Sequence, residues 1–265
     1  MAMIDRKVII YPTADVLREA LASRFLLKIS DRLAKRQRVD VALTGGTDGI
    51  AMLRTVASSP LSTAVDWSRV HLWWGDERFV PEDDPDRNAR QAREAWFGEL
   101  VENGQMPESH IHEMPADTRS EEERADATEE DDYDAVTKAA KSYEHEIVKA
   151  LGKKQAFDIA LFGVGPDGHF ASLFPNHPVL RSHDKKTRVI GITDSPKLPP
   201  MRISLTVPFI RRCRRVWVFA SSPRKAEAVG KALDGYNNPH VPSSFAGGDK
   251  ETLWLLDRDA AADIK

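Results

Sequence analysis

Residues 157–175 read FDIALFGVGPDGHFASLFP, and this stretch decides the predicted fold. Its first half is a short apolar run that stops at glycine and proline, as strands buried on both faces of a parallel sheet do. Its second half is predicted to be a loop, because Pro166 fixes its own φ and the nearby glycines permit unusual backbone angles. This loop presents Asp167 and His169 at the carboxyl end of the strand, which is the edge where open α/β sheets bind ligands.

The loop has three possible interpretations. It is a turn with a polar tip and only a structural role, since such residues punctuate turns in many proteins. Alternatively, its glycines satisfy the dinucleotide-binding pattern G-x-G-x-x-G, although Asp167 would then face the pyrophosphate and a clear acidic residue is missing at the end of the next strand. In the third interpretation His169 is a general acid or base held by Asp167 or by backbone, since imidazole suits proton transfer near neutral pH.

The rest of the chain alternates between strand and helix patterns. Predicted strands cover residues 7–11, 39–43, 69–74, 187–193, 202–206, 214–221 and 252–256, besides the strand that begins at Phe157. Predicted helices cover residues 17–33, 50–58, 86–100, 135–151, 207–213 and 222–233. This alternation predicts an α/β protein with a mainly parallel sheet covered by helices on both faces. We expect residues 1–265 to form a single domain.

Composition excludes several classes of function. The chain has 265 residues, 41% apolar and 30% charged, with a net charge of -3, so no general cationic field attracts nucleic acid or an anionic membrane. Cys213 is the only cysteine, which excludes an internal disulfide and a multi-cysteine metal site. The amino terminus lacks the apolar core of a secretory signal, and no run approaches the length of a membrane helix. We therefore expect a cytoplasmic protein.

A glycine-rich turn at residues 44–49, TGGTDG, precedes a helical pattern. Such a turn offers free backbone N–H groups and the positive end of a helix, which together suit a phosphate. It lacks the Gly-Lys-Ser/Thr ending of a Walker loop. A purely structural turn is the alternative interpretation.

Two cationic residues are further candidates for a site. Arg78 lies in a dense charge cluster after a predicted strand, where it either pairs with Asp76 or Glu77 or holds a ligand phosphate. Lys225 falls in the first turn of a predicted helix, against the macrodipole preference for acidic residues there. That misfit indicates function, unless Lys225 is an ordinary surface lysine.

Two features of the middle third are predicted to have no role in chemistry. Residues 117–134 are strongly acidic and nearly devoid of large apolar residues, which indicates a solvated surface segment that is partly helical or disordered. His110, His112 and His145 have no neighbouring ligand pattern, so we interpret them as ordinary surface or packing histidines.

Six motifs together resemble the 6-phosphogluconolactonase family. They are GPDGHxASLFP at 165–175, WGDERxVP at 74–81, TGGT at 44–47, Asn88 in PDRN, Arg202 in RISLT and Lys225 in PRKA. The motifs occur in the family's order and span nearly the whole chain. The resemblance implies a Rossmann-like fold shared with the sugar-phosphate isomerases and deaminases, and hydrolysis of 6-phospho-D-glucono-1,5-lactone to 6-phospho-D-gluconate in the oxidative pentose phosphate pathway.

The resemblance also implies roles for individual residues. His169 is expected to be the general base that activates water, with Asp167 as its partner. The residues expected to surround the phosphorylated substrate are Gly45, Gly46, Asp76, Arg78, Asn88, Arg202 and Lys225. The resemblance implies no metal, no cofactor and no partner beyond the small sugar phosphate lactone, in a monomer or homodimer.

Two residues depart from the family pattern. Asp48 stands where a proline is usual after Ser or Thr, and Phe170 stands where threonine is common. An acid at position 48 opposes phosphate binding unless it points away. Two other functions stay open at this point: an isomerase or deaminase of an amino sugar phosphate, and a sugar-phosphate sensor without turnover.

Overall fold

The computed structural model describes residues 5–181 and 184–265. Its main sheet contains six strands, all parallel, in the order β1-β9-β8-β5-β2-β3. These strands are β1 (Arg6–Tyr11), β2 (Val39–Leu43), β3 (Val70–Trp74), β5 (Ile159–Gly163), β8 (Arg215–Ala220) and β9 (Glu251–Asp257). The predicted α/β class with a mainly parallel sheet is thus confirmed.

The central strands are buried on both faces. Every residue of β2 is buried, as are the first four of β5, because helices cover both sides of the sheet. The helices are α1 (Ala14–Leu33), α2 (Gly46–Ser58), α3 (Asn88–Ala92), α4 (Gly98–Glu102), α5 (Glu121–Ala125), α6 (Glu129–Leu151), α7 (Val207–Ile210) and α8 (Ala226–Leu233). In the described residues, none of these helices is long and apolar enough to cross a membrane.

A second, smaller sheet was not predicted. It is antiparallel, in the order β4-β7-β6, and consists of β4 (Asp76–Arg78), β6 (Val189–Ile192) and β7 (Arg202–Leu205). Two of these strands were predicted as strands but not as a separate sheet. The third, β4, was interpreted only as a charge cluster, because its three residues Asp-Glu-Arg carry no apolar pattern.

Gly75 joins the two sheets. Its N–H donates to the carbonyl of Leu43 in β2 over 2.8 Å, and its carbonyl accepts from the N–H of Leu205 in β7 over 3.0 Å. A Cβ at position 75 would lie 2.6 Å from Cε1 of Phe162, so only glycine lets the chain pass this close to the core. The charged motif after β3 is therefore carried directly into the second sheet.

Several predicted helix boundaries were wrong by a few residues. Helix α2 begins at Gly46 rather than Ile50, and the helix predicted for 86–100 is interrupted by a π-helical turn at Arg93–Phe97. The helix predicted from residue 135 begins at Glu129. The final helical segment opens with a 3-10 turn at Pro223–Lys225 before α8.

The acidic segment is largely helical. Helices α5 and α6 both begin within it, with capping boxes at Ser120 and Thr128, and acidic side chains in a first helical turn complement the helix dipole. Asp117 is an exception to the predicted solvation, because it is buried and its carboxylate lies 2.8 Å from the Arg119 guanidinium.

His71, in edge strand β3, packs against the rings of His110 and His112. The rings of His71 and His110 stack with centroids 3.7 Å apart, and the ring of His112 stacks on Trp73 at 3.8 Å. Burial, together with the charge of Arg38, lowers the pKa of His71 to about 3. Because their rings stack on His71 and Trp73, His110 and His112 are packing residues, as predicted.

Candidate active site

The loop after β5 holds an imidazole against a carboxylate. Nδ1 of His169 lies 2.5 Å from Oδ1 of Asp167, and the imidazole side chain is 21% exposed. A Cβ at position 165 would lie 2.0 Å from Cε1 and Nδ1 of this ring, so Gly165 makes room for it. Gly168 adopts φ +82, in the left-handed region that favours glycine. The glycines predicted to shape the loop thus determine where the imidazole lies.

Lys197 also contacts this pair, and the sequence did not indicate it. Its Nζ lies 3.0 Å from Oδ1 of Asp167 and 3.1 Å from Nδ1 of His169. Burial alone would raise the pKa of Asp167, but the hydrogen bonds and positive charge of His169 and Lys197 lower it well below its usual value. Lys197 lies in the Pro-rich turn before β7, and its neighbours in the sequence carry no signal of this contact.

Two arginines lie side by side in the small sheet. Arg78 in β4 is the register partner of Arg202 in β7. Burial and the charge of Arg78 lower the pKa of Arg202 to about 10. Adjacent guanidinium groups in a cleft repel each other, and an anion bound between them would remove that repulsion.

The ion pair of Arg78 with Asp76 or Glu77 is not found in the described part of the chain. The Arg78 guanidinium donates instead to the carbonyl of Asp86 over 2.6 Å. Oδ2 of Asp76 accepts from the Ser172 hydroxyl over 2.7 Å. The Asp76 carboxylate is thus bound by Ser172, and the positive charge of Arg78 stays available to the cleft.

Glu77, which the sequence offered only as a possible partner of Arg78, is a buried acid. Its carboxylate accepts from the backbone N–H groups of Arg78, Asn88 and Ala89 over 2.7 to 2.8 Å. Burial raises its pKa to about 7, against the lowering effect of Arg87 and of these donors. Glu77 therefore ties β4 to the beginning of α3, where Asn88 lies.

The glycine-rich turn lies next to Asn88. Gly45 is the N-cap residue of α2 and makes no side-chain cap bond, while Gly46 adopts φ +78. A Cβ at position 45 would lie 1.8 Å from Oδ1 of Asn88, so Gly45 permits this close approach. Among the described residues, Oδ1 of Asn88 is buried without a hydrogen-bond partner. An unpaired buried acceptor is costly, which is consistent with a polar ligand here.

Lys225 is paired rather than freely exposed, so its interpretation as a surface lysine was wrong. Nζ lies 2.6 Å from Oδ2 of Asp48, and the two side chains are 18% and 14% exposed. Asp48 therefore points toward Lys225. The other unusual residue, Phe170, is buried edge-on against Phe162 with centroids 5.4 Å apart, so it packs beneath the loop.

One cleft of about 260 Å³ brings these groups together. Of the residues that the sequence indicated, those lining it are Gly45, Gly46, Asp76, Arg78, Asn88, His169, Arg202 and Lys225. Asp167 does not line the cleft and supports the imidazole through Nδ1. Within residues 5–181 and 184–265, no cluster of His, Cys, Asp and Glu suits a metal ion.

A low pKa keeps the Asp167 carboxylate an acceptor, so the His169 tautomer that satisfies the 2.5 Å contact carries its proton on Nδ1. Nε2 then keeps a lone pair with which it can accept a proton. The cleft therefore combines a potential general base with cations and a helix N-terminus suited to an anion.

Comparison with known proteins gives a consistent result. Residues 12–254 match the model of a family described as glucosamine-6-phosphate isomerases/6-phosphogluconolactonase. A 6-phosphogluconolactonase of Streptomyces coelicolor is 41% identical over 263 residues, covering 97% of this chain and 94% of that protein.

Solved structures show the same fold. A 6-phosphogluconolactonase from Trypanosoma brucei has a TM-score of 0.83 at 23% identity, covering 99% of this chain and 100% of that one. A monomeric glucosamine-6-phosphate deaminase has a TM-score of 0.72 at 20% identity, covering 97% and 99%. The chain belongs to the glucosamine-6-phosphate isomerase/6-phosphogluconolactonase family.

Proposed function

We propose that this protein hydrolyses 6-phospho-D-glucono-1,5-lactone to 6-phospho-D-gluconate, the lactone-opening step of the oxidative pentose phosphate pathway. The observation that carries the proposal is the imidazole of His169, held through Nδ1 in a cleft that Arg78, Arg202 and Lys225 also line. A base and several cations in one small cleft suit an ester with a phosphate group. The relative from Streptomyces coelicolor, which bears the name of this activity, supports the same proposal.

His169 acts first as a base and then as an acid. Nε2 takes a proton from water as the water oxygen attacks C1 of the lactone. The C1–O5 bond then breaks, and the ring oxygen receives a proton from the imidazolium. The new carboxyl group at C1 loses the remaining water proton to solvent. Asp167 keeps Nδ1 protonated and stabilises the positive ring between the two steps. A δ-lactone is an activated ester, so the mechanism needs no covalent intermediate.

Positive charge stabilises the oxyanion that forms at C1. The Lys197 ammonium lies beside the Asp167–His169 pair, and its side chain is 40% exposed. Of the backbone N–H groups in the 165–169 turn, those of Asp167 and His169 are further donors, because Pro166 has none and those of Gly165 and Gly168 already donate to carbonyl groups of the loop. Donors that are already oriented toward the developing charge lower the barrier without reorganising during the reaction.

The phosphate group supplies binding energy away from the reacting carbon. Arg78, Arg202 and Lys225 donate charge-assisted hydrogen bonds to it, and the Gly45–Gly46 turn offers the amino end of α2. Asp76 and Asn88 line the same cleft and complete the polar wall around the sugar. Binding at this remote end fixes the ring relative to His169.

We also propose that residues 1–265 work as one domain in the cytoplasm, as a monomer or homodimer, with no cofactor and no nucleic acid partner. A net charge of -3 supports the absence of a nucleic acid partner, and a single, buried cysteine agrees with the reducing cytoplasm.

The experiment is an assay of purified protein with freshly prepared 6-phospho-D-glucono-1,5-lactone, in which spontaneous opening is subtracted. We expect proton release well above the spontaneous rate, and no ammonia from glucosamine 6-phosphate. Ammonia release without lactone hydrolysis would assign the deaminase reaction instead. Tight 6-phosphogluconate binding without acceleration would assign a sensor.

A further inference from the structure

The contact between Asp48 and Lys225 joins the two segments that flank β5, the strand before the His169 loop. Asp48 lies in the first turn of α2, which follows β2, and Lys225 ends the 3-10 turn that follows β8. In the sheet, β5 lies between β2 and β8. The 2.6 Å contact therefore connects the segments on either side of the β5 loop, at the carboxyl edge of the sheet.

Asp48 also holds the segment that leads to Lys225. Its Oδ1 accepts from the hydroxyl of Ser221 over 2.6 Å, and its Oδ2 accepts from the N–H of Ser221 over 3.2 Å. The next residue, Ser222, adopts φ +90, and its N–H donates to Asp257 over 3.1 Å. A backbone with φ in this region is unfavourable for a non-glycine residue, so it persists only where its surroundings impose it. Two carboxylates fix the path of the chain into the Lys225 turn.

The role of Asp48 is not that of a helix cap. An acid in a first turn commonly stabilises the helix through the dipole or by bonding free N–H groups. Both carboxylate oxygens of Asp48 instead contact the segment after β8. They are used to connect two parts of the molecule that are about 175 residues apart in the sequence.

We propose that Asp48 is a positioning residue, which fixes the Lys225 ammonium at the wall of the cleft and thereby determines the preference for a phosphorylated over an unphosphorylated lactone. This inference rests on the proposed function. Asp48 itself lines the cleft and its negative charge opposes a phosphate, so we assign its favourable contribution to the placement of Lys225. Without the carboxylate, the long lysine side chain gains rotamer freedom that phosphate binding must remove again.

The first variant is Asp48→Ala, which removes the connection. We expect KM for 6-phospho-D-glucono-1,5-lactone to rise about 3- to 10-fold with kcat unchanged, in the range of couplings between contacting residues. We expect kcat/KM for unphosphorylated D-glucono-1,5-lactone to stay the same. A matched control is Asp15→Ala, since Asp15 is also an acid in a first helical turn paired with a basic residue, Arg18. Equal losses on both lactones would reveal a merely structural role and overturn the proposal.

The second variant is Asp48→Asn, which keeps an oxygen acceptor and removes the negative charge. We expect KM for the phosphorylated lactone to stay at or below its wild-type value, because the position of Lys225 is retained and a repulsive charge is lost. A rise in KM as large as that of Asp48→Ala would contradict the assignment. In a double-mutant cycle, Asp48→Ala should have no further effect on KM when Lys225→Met is already present. Additive effects of the two substitutions on KM would also overturn the proposal.

Calorimetric titration with 6-phosphogluconate separates this inference from the proposed function. Weaker binding to Asp48→Ala, but not to Asp48→Asn, supports the positioning role even if the wild-type protein hydrolyses no lactone. Identical binding to all three proteins would overturn the positioning role even if the lactonase activity is present.

Discussion

The two sheets contribute different chemistry to the same cleft. The parallel sheet contributes the Asp167–His169 pair, from the loop after its central strand β5. The small antiparallel sheet contributes Arg78 and Arg202, from its paired strands β4 and β7. In this account the loop after β5 positions the base, and the small sheet contributes two of the cations that bind the phosphate. Changes in the β5 loop should lower kcat, whereas changes at Arg78 or Arg202 should raise KM.

The largest effect is expected for His169→Ala. Loss of the base should lower kcat by about 10²- to 10⁴-fold, with a smaller change in KM. Steady-state rates, corrected for spontaneous lactone opening, measure this effect. His145→Ala is a control on α6 and should retain the wild-type rate. Near-normal turnover of His169→Ala would refute the role of the imidazole.

Gly165→Ala should be the next most damaging change. The new methyl group would lie 2.0 Å from the His169 ring and displace it, and a misplacement of this size lowers kcat by about 10- to 100-fold. Gly235→Ala is the matched control, because a Cβ there meets nothing within 4 Å. Full activity of Gly165→Ala in a folded protein would show that the position of the ring is not critical.

Arg78→Ala tests the small sheet. Loss of one charge-assisted contact should raise KM by about 10-fold and leave kcat nearly unchanged. Arg90→Ala is a control, since Arg90 pairs with Glu94 on the nearby helical segment. A fall in kcat with unchanged KM would place Arg78 at the reacting carbon and break the division between the two sheets.

The smallest effect on activity is expected for His71, which lies outside the cleft. Its pKa is about 3 in the folded protein and about 6.5 when unfolded, so the unfolded state binds more protons between these values. The free energy of unfolding should therefore decrease as the pH falls from about 6.5 toward 3. His71→Gln should show a weaker pH dependence in urea titrations, with the lactonase KM unchanged.

A direct check on His71 is its imidazole signal in NMR spectra. We expect the ring to stay neutral at pH 5. Titration of His71 near pH 6.5 in the folded protein would contradict the effect assigned to its burial.

The sequence predicted the parallel sheet better than the small sheet for a physical reason. Buried parallel strands are continuous apolar runs, and the stretch that leads into β5 has that pattern. Strand β4 is Asp-Glu-Arg, and its buried carboxylates are stabilised by partners distant in the sequence, such as Ser172 for Asp76. No local pattern can reveal such partners.

The same limit applies to the site. Glycine and proline in the loop after β5 indicated a turn that presents His169, because their backbone preferences are local. Lys197 reaches Asp167 from 30 residues away, and Lys225 reaches Asp48 from 177 residues away. These contacts depend on the tertiary fold. The sequence indicated Lys225 through a misfit in a helical turn and through the PRKA motif, but it indicated neither the contact of Lys225 with Asp48 nor any role for Lys197.

The most direct test of the division between base and phosphate site compares two substrates. The ratio of kcat/KM for 6-phospho-D-glucono-1,5-lactone to that for D-glucono-1,5-lactone should be at least about 10² in the wild-type protein. It should fall by about 10-fold in Arg78→Ala and stay unchanged in the residual activity of His169→Ala. A ratio near one in the wild type, or a ratio that falls in His169→Ala but not in Arg78→Ala, would contradict the account.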